Sequence, residues 1–332
     1  MTTMKVDDLK YVYGKHIVLD GLDIDIREGE ILGILGPNGC GKTTTLKNLN
    51  KNLSPMGGCV LLDGTDLEDM SKKEIAQKVA VVPQTNEIQF SFTVRDIVSM
   101  GRMPFQRLME GESSQDEKII DEAIRRTGLE KFSERHINTM SGGERQRVII
   151  ARAIAQTPKI LLMDEPTLHL DISMQFDTLN LVHRLSKEQG LTVVIVSHDL
   201  PMAARYCDRI VMIHDHRVFA AGTPQEVLTP ENMRIVFNVD AELSTDPKTG
   251  KPTVLLHDSC CDELFLRKRK RPRRGSGFHI TCLTPFSSIS SFLSLSIRSS
   301  VVGCVLNRLI RPRVFFLPKG LEIHMCAHDG LS

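Results

Sequence analysis

The body of the chain is poor in cysteine. Residues 4–257 hold only Cys40, Cys59 and Cys207, scattered far apart. That spacing supplies neither a disulfide framework nor a metal-ligand cluster, and it fits a reducing cytosol. Long apolar runs are missing as well. No body segment reaches the roughly 18 residues that a membrane span needs, and Met1–Asp8 lacks the apolar core of a signal peptide. Acids nearly vanish at the far end, where from Leu264 onward 12 Lys/Arg face only Glu322 and Asp329. The overall net charge of +1 therefore hides a split, because residues 1–263 carry 30 Lys/Arg against 39 Asp/Glu. An acidic body argues against duplex nucleic acid as the main partner.

What is present begins with Gly36-Pro37-Asn38-Gly39-Cys40-Gly41-Lys42-Thr43. This is a G-x-x-x-x-G-K-[ST] loop, preceded by the apolar run Ile31–Leu35 and followed by a helix-like start at Thr44. Strand, loop and helix in that order cradle phosphates: backbone N–H groups curl around them and the helix N-terminus adds favourable partial charge. Lys42 is placed to reach the β- and γ-phosphates, and the Thr43 hydroxyl to ligate Mg²⁺. Cys40 occupies a variable position and contributes its backbone. A second apolar strand, Ile160–Met163, ends in Asp164-Glu165. Asp164 is placed to hold Mg²⁺ through water, and Glu165 to polarise the water that attacks the γ-phosphate. Between the two lies Ser141-Gly142-Gly143-Glu144, which opens an apolar-periodic run and reads as a helix N-terminus with open backbone donors.

These motifs, in this order, resemble the ATP-binding subunits of ABC transporters across roughly residues 4–257. Thr139–Gln146 is similar to the family signature, with Met140 where Leu is usual, a swap that conserves size and apolarity. The resemblance implies further roles. Gln84 matches the Q-loop glutamine and completes the Mg²⁺ environment. His198 matches the switch histidine. Asp171, in Leu168–Asp171, matches the D-loop aspartate. Tyr13 matches the aromatic that stacks on adenine, with Tyr11 as a weaker candidate. Asp199 reads as a turn acid and His169 as a local contact.

The implied fold is α/β: a P-loop NTPase domain of ABC type, with a RecA-like core and a helical subdomain over about 87–157. Short β-like runs at Ile24–Ile26, Ile31–Leu35, Val60–Leu62 and Val79–Val82 read as a sheet carrying the P-loop. Residues 158–225 return to strand–helix alternation, hence parallel strands, and Gly222–Leu228 reads as a turn and a capped closing helix. After Asp262 the composition changes. Arg267–Arg274 is a dense basic run, and Ser287–Ser300 is serine-rich. A translation artefact or frame-shifted end is the favoured reading of 264–332. A disordered basic tail, a membrane-associated tail and a nucleic-acid-binding run compete with it.

The resemblance also implies a mechanism and a setting. Two copies form a head-to-tail homodimer. Each ATP, with Mg²⁺, lies between Lys42, Thr43, Thr44 and Tyr13 of one chain and Ser141, Gly142 and Gly143 of the other. Asp171 crosses the interface, and His198 stabilises the transition state. The dimer would sit on the cytoplasmic face of the membrane and couple to a permease through the Gln84–Arg107 region. Phe92–Pro104, Ala151–Gln156 and His198–Leu200 are similar to importers of iron–siderophore, haem and cobalamin, which work with an extracytoplasmic binding protein. A soluble cofactor-assembly ATPase and an exporter subunit remain the alternatives. DNA-maintenance forms fit poorly, because only about a hundred residues without sustained heptads separate Thr43 from Ser141.

Overall fold

A computed structural model describes residues 2–84, 91–106, 112–248 and 250–257. The tail at 264–332 lies outside the described residues, as do Thr85–Phe90 and Arg107–Gly111 of the predicted coupling region. The elements run β1 (Thr2–Tyr13), β2 (His16–Arg27), β3 (Ile31–Leu35), α1 (Lys42–Leu49), β4 (Gly57–Leu62), β5 (Thr65–Asp66), α2 (Lys72–Ala76) and β6 (Val79–Val82). Three helices follow, α3 (Val94–Ser99), α4 (Ser114–Arg126) and α5 (Gly142–Ala155). Then come β7 (Ile160–Asp164), α6 (Ile172–Gln189), β8 (Thr192–Ser197), α7 (Leu200–Tyr206), β9 (Arg209–His214) and β10 (Arg217–Gly222). The described chain closes with α8 (Pro224–Val227), α9 (Pro230–Phe237), β11 (Asp240–Thr245) and β12 (Pro252–His257).

A six-stranded sheet in the order β10-β9-β3-β8-β7-β6 organises the fold. Its five strands from β9 to β6 are parallel; β10 runs antiparallel at one edge. Parallel strands covered on both faces read as unbroken apolar runs, which is how Ile160–Met163 and Val193–Val196 read. The pleat then sends alternate residues to two cores. Ile31, Leu35, Leu161, Met163, Val193 and Ile195 join the core shared with the helices. Leu32, Ile34, Ile160, Leu162, Val194 and Val196 join the core shared with β1, β2 and β4.

One expectation needs correction. Residues 4–85 do not form one sheet carrying the P-loop. Strands β1, β2, β4 and β5 make a separate antiparallel sheet in the order β2-β1-β4-β5, and only β3 and β6 enter the parallel one. The reason lies in the connections. Tight turns at Gly14 and Asp63-Gly64, where the backbone takes positive φ, let neighbours pair antiparallel. Parallel pairing needs a long crossover, and β3 obtains one through α1 and everything after it. The turn at Gly222 is likewise not terminal: Thr223 and Glu226 form a capping box on α8, and α9 and the β11–β12 hairpin follow. No helix among the described residues is long and apolar enough to cross a membrane.

Helical capping fixes the middle region. Thr93 with Asp96, Ser113 with Asp116 and Ser141 with Glu144 form capping boxes on α3, α4 and α5. Each reciprocal pair satisfies two backbone donors. Ile120, Ala123 and Ile124 bury one face of α4, at the spacing of a helical stripe.

Gly33 packs closely in the middle of the sheet. A Cβ there would meet the Cys207 sulfur at 2.8 Å. Cys207 is buried, and burial pushes its thiol up to about 12. Gly33→Ala should therefore destabilise by about 1–3 kcal/mol through overpacking. Adding Cys207→Ala should recover part of that loss, giving a coupling of at least about 0.5 kcal/mol in a urea-melt double-mutant cycle. Strict additivity would refute the contact.

Candidate nucleotide site

The register of four parallel strands assembles the site. Leu35 of β3 pairs with Ser197 of β8, Val196 of β8 with Asp164 of β7, and Met163 of β7 with Val82 of β6. Their carboxyl ends therefore lie side by side. The next residues along each chain are Gly36, His198, Glu165 and Pro83-Gln84. Open α/β sheets bind ligands in just this place, beyond the carboxyl ends of the strands.

The loop after β3 needs its glycines for space. A Cβ on Gly36 would collide with the Ile213 carbonyl and the Cys40 sulfur. One on Gly41 would meet Leu19 Cδ2 at 2.5 Å and Val18 O at 2.7 Å. Gly39 and Gly41 also take φ of 86° and 105°, which L side chains seldom adopt. Cys40 turns its sulfur inward, and burial raises its thiol. Lys42 is buried and donates to Gly36 O at 2.7 Å and Pro37 O at 3.1 Å. Those bonds curl the loop over its own lysine and use two of the three ammonium donors.

Asp164 and Glu165 leave β7 in different directions. Asp164 is buried and accepts from Thr43 Oγ1 at 3.2 Å. Burial raises its carboxyl above the usual range; the Thr43 hydrogen bond and the charges of Lys47 and Lys42 pull the other way. Glu165 takes φ of 48°, the left-handed region, while its N–H donates to Val196 O at 2.9 Å. The backbone so turns its side chain off the sheet, where Oε2 lies 2.7 Å from His198 Nδ1. An ionised carboxylate only accepts, so Nδ1 carries the proton of that bond. Gln84 is exposed and lines the same cleft as Glu165. The cleft measures 290 Å³ and is also bordered by Val18, Asn38, Lys42 and Thr43. Sequence reasoning missed Val18, which lies on β2, three residues past the hairpin turn and outside any motif. A larger cleft of 680 Å³ lies at the opposite, amino ends of the strands, around Asp63, Lys159 and Thr192. It holds no residue of the loop, so size does not identify the site.

The aromatic candidates separate by burial. Tyr11 sits in the core, whereas Tyr13 is 46% exposed, with its ring edge-on to Tyr11 at 5.0 Å. The remaining predicted residues stand apart from the cleft. Ser141, Gly142 and Gly143 begin α5, and none of them borders it. The Ser141 hydroxyl accepts from Glu144 N at 3.3 Å and donates to Glu144 Oε2 at 2.9 Å. The first N–H groups of a helix have no carbonyl in a preceding turn; of these, Gly142 is exposed, while Gly143 is buried against Met174. Asp171 caps α6, accepting from Met174 N and Ser173 Oγ, both at 2.9 Å. The Met174 N–H is the main cause holding its carboxyl below the usual range. Asp199 similarly caps α7 through Met202 N.

The donor set fits a magnesium ion better than a protein-caged metal. Among the described residues no three His, Cys, Asp or Glu side chains cluster. The Thr43 hydroxyl and the Asp164 carboxylate, 3.2 Å apart, are hard oxygen donors that would hold Mg²⁺, Thr43 directly and Asp164 through water.

The raised Asp164 carboxyl has a stability consequence. A carboxyl whose folded value lies above its unfolded value disfavours folding once pH exceeds the unfolded value, and the cost fades as pH falls. Asp164→Asn should therefore stabilise the nucleotide-free chain at neutral pH by about 1 kcal/mol, with the gain disappearing near pH 4. Thermal melts at the two pH values check this; a destabilised variant at pH 7 would contradict it.

The chain is similar to known proteins along most of its length. Residues 19–168 match the family described as ABC transporter. The iron(3+)-hydroxamate import ATP-binding protein FhuC of Bacillus subtilis (strain 168) is 42% identical over 258 residues, covering 78% of this chain and 96% of that protein. The ferric enterobactin transport ATP-binding protein FepC of Escherichia coli (strain K12) is 35% identical, covering 76% and 93%. Among solved structures, the dimeric post-hydrolysis state of the cassette MJ0796 bound to ADP and Pi superposes with a TM-score of 0.57 at 31% identity, covering 67% and 98%. An inward-facing structure assigned to the metal-chelate type of ABC transporter superposes with a TM-score of 0.69 at 27% identity, covering 78% and 99%. With the phosphate-binding loop, the acidic strand end and the capped signature helix all in place, the chain belongs to the ATP-binding subunits of the ABC transporter family and is an ATPase.

Proposed function

We propose that this ATPase drives import of a metal chelate, of the iron–siderophore, haem or cobalamin kind, through a membrane permease. The activity is assigned to residues 4–257. Support for the cargo class comes from relatives whose names specify iron-hydroxamate, enterobactin and petrobactin. A separate extracytoplasmic binding protein would select the cargo, and the ATPase would sit at the cytoplasmic face of the membrane.

The observation that carries the mechanism is the split between the cleft and the signature. The cleft collects Lys42, Thr43, Gln84 and Glu165 but no residue of Ser141–Gly143. A homodimer resolves the split: the α5 N-terminus of one chain covers the phosphates held by the other. Tyr13 stacks on the adenine, and the backbone of Gly36–Thr44 wraps the phosphates. Thr43, Asp164 and Gln84 would hold Mg²⁺, which supplies charge neutralisation on the phosphate oxygens. Glu165 takes the proton of the attacking water. His198 fixes Glu165 through its Nδ1 bond and, as the dimer closes, faces the γ-phosphate. Asp171, whose Oδ1 caps α6, would cross the interface with its other carboxylate oxygen.

The permease would dock against a groove of 500 Å³ between α2 and the turn after α3. Ile75 and Ala76 line one wall, Met100, Met103 and Pro104 the other, and Met103 is 65% exposed.

Glu165→Gln should lower ATP turnover by about 10²–10⁴-fold, the usual worth of a general base, while leaving ATP bound in a dimer that survives gel filtration. Hydrolysis at the parental rate would remove Glu165 from this role. Co-purification with a polytopic permease, and stimulation by an extracytoplasmic binding protein, tests the import reading; co-purification with soluble assembly proteins alone would overturn it.

A further inference from the structure

Gly101-Arg102 lies in a 3-10 turn at the end of α3; Gly101 lines the groove, Arg102 does not, and neither borders the nucleotide cleft. Its packing is unusually constrained. A Cβ on Gly101 would collide with the Arg152 carbonyl, so the turn runs flush against the backbone of α5. Arg102 is only 5% exposed. Its Nε donates to Asp116 Oδ1 at 2.8 Å, in the first turn of α4. Its Nη1 donates to Ala155 O at 2.8 Å and Thr157 Oγ1 at 3.3 Å, at the far end of α5. The guanidinium stacks on Phe105 at 4.0 Å. Asp116 in turn accepts from Ser113 Oγ at 2.7 Å, and its carboxyl is held low chiefly by Arg102.

Such a buried pair is weak evidence for stability, because apolar residues of like volume often hold a fold as well. What an Arg adds is direction. Its planar fork fixes three partners at set angles, which neither Lys nor an apolar residue can do. The partners here are Asp116 at the start of α4, the last carbonyl of α5 and the Thr157 hydroxyl just past it, all held by a side chain of the turn that walls the groove. The opposite end of α5 carries Ser141-Gly142-Gly143, about 21 Å away at 1.5 Å per residue. On the other side of the groove, Gln156 donates to Ala76 O and to Val79 O at 2.8 Å, and Gln77 donates to Pro104 O at 3.0 Å. Both walls of the groove therefore meet at the carboxyl end of α5, one through Gln156 and the other through Gly101 and Arg102, and Gln77 ties the two walls together.

We propose that Arg102 is a positioning residue that locks the groove wall to the signature helix, so that a permease segment seated in the groove moves Ser141–Gly143 as one body with it. The proposal rests on the permease reading above. Arg102 touches neither nucleotide nor partner; it transmits.

The test uses the full chain, free and assembled with its permease in lipid vesicles. Arg102→Lys keeps the charge but loses the fork. Asp116→Asn keeps the shape but loses the ion pair. Both should leave the ATPase of the free subunit and its affinity for the permease within about twofold, and lower permease-dependent stimulation about tenfold, in the range of ordinary coupling energies. Met103→Glu serves as the docking control and should abolish permease capture. If it does so while both other variants keep full stimulation, the joint is refuted and the docking reading stands. If Met103→Glu leaves capture intact, the docking reading falls and takes the joint with it. A parallel fall of free and stimulated activity would reduce Arg102 to a structural residue and overturn the proposal.

Discussion

The parallel ladder joining β3, β8, β7 and β6 is the constraint from which the site follows. Backbone hydrogen bonds alone set Leu35 level with Ser197, and Asp164 level with Val196. A slip of one residue would exchange the two core faces and carry Glu165 away from His198. Register is held because both faces of these strands are buried, in two cores of different composition. Residues separated by over a hundred positions, such as Thr43 and Asp164, are thus brought within hydrogen-bond reach.

The site stores unfavourable energy at the place where it acts. Lys42, Asp164 and Glu165 are all buried, and Glu165 is bent into the left-handed region. Burial of a carboxylate costs unless it is hydrogen-bonded or paired, and left-handed backbone at a non-glycine costs of order 1–3 kcal/mol. Each group has a partner that offsets the cost. Lys42 has the loop carbonyls, Asp164 has Thr43, and Glu165 has His198. Lys42 and Asp164 are held by neutral groups, loop carbonyls and a hydroxyl, whereas the Glu165–His198 bond is the one that the proposed mechanism keeps in place.

Much of this was legible in the sequence, because short motifs report local backbone demands. The glycines of Gly36–Gly41 announce a loop that no side chain fits, and the apolar runs ending at Leu35, Asp164 and Ser197 announce parallel strands. Three kinds of fact were hidden. Sheet membership was one, although β1 and β2 alternate charged and apolar residues, as half-exposed antiparallel strands do, while Ile31–Leu35 is unbroken. Dual use was another: besides the interface role that the resemblance implies, Asp171 caps α6 through Oδ1. Long-range partnership was the third, since nothing near Arg102 in the sequence points to Ala155 or Asp116. Periodicity reveals which side a residue faces, not whom it meets there.

The central claim is that each catalytic site is completed by a second chain. Mixing two variants tests it most directly. In a Glu165→Gln background, one preparation carries Lys42→Ala and the other Ser141→Arg, so each lacks one half of the site. Alone, neither should retain ATP through gel filtration. Mixed dimers contain one intact P-loop facing one intact signature, so the mixture should retain ATP in the dimer fraction. Failure of the mixture to retain any ATP, with both variants folded and dimers forming, would mean that the two halves must lie on one chain, and would contradict the shared site.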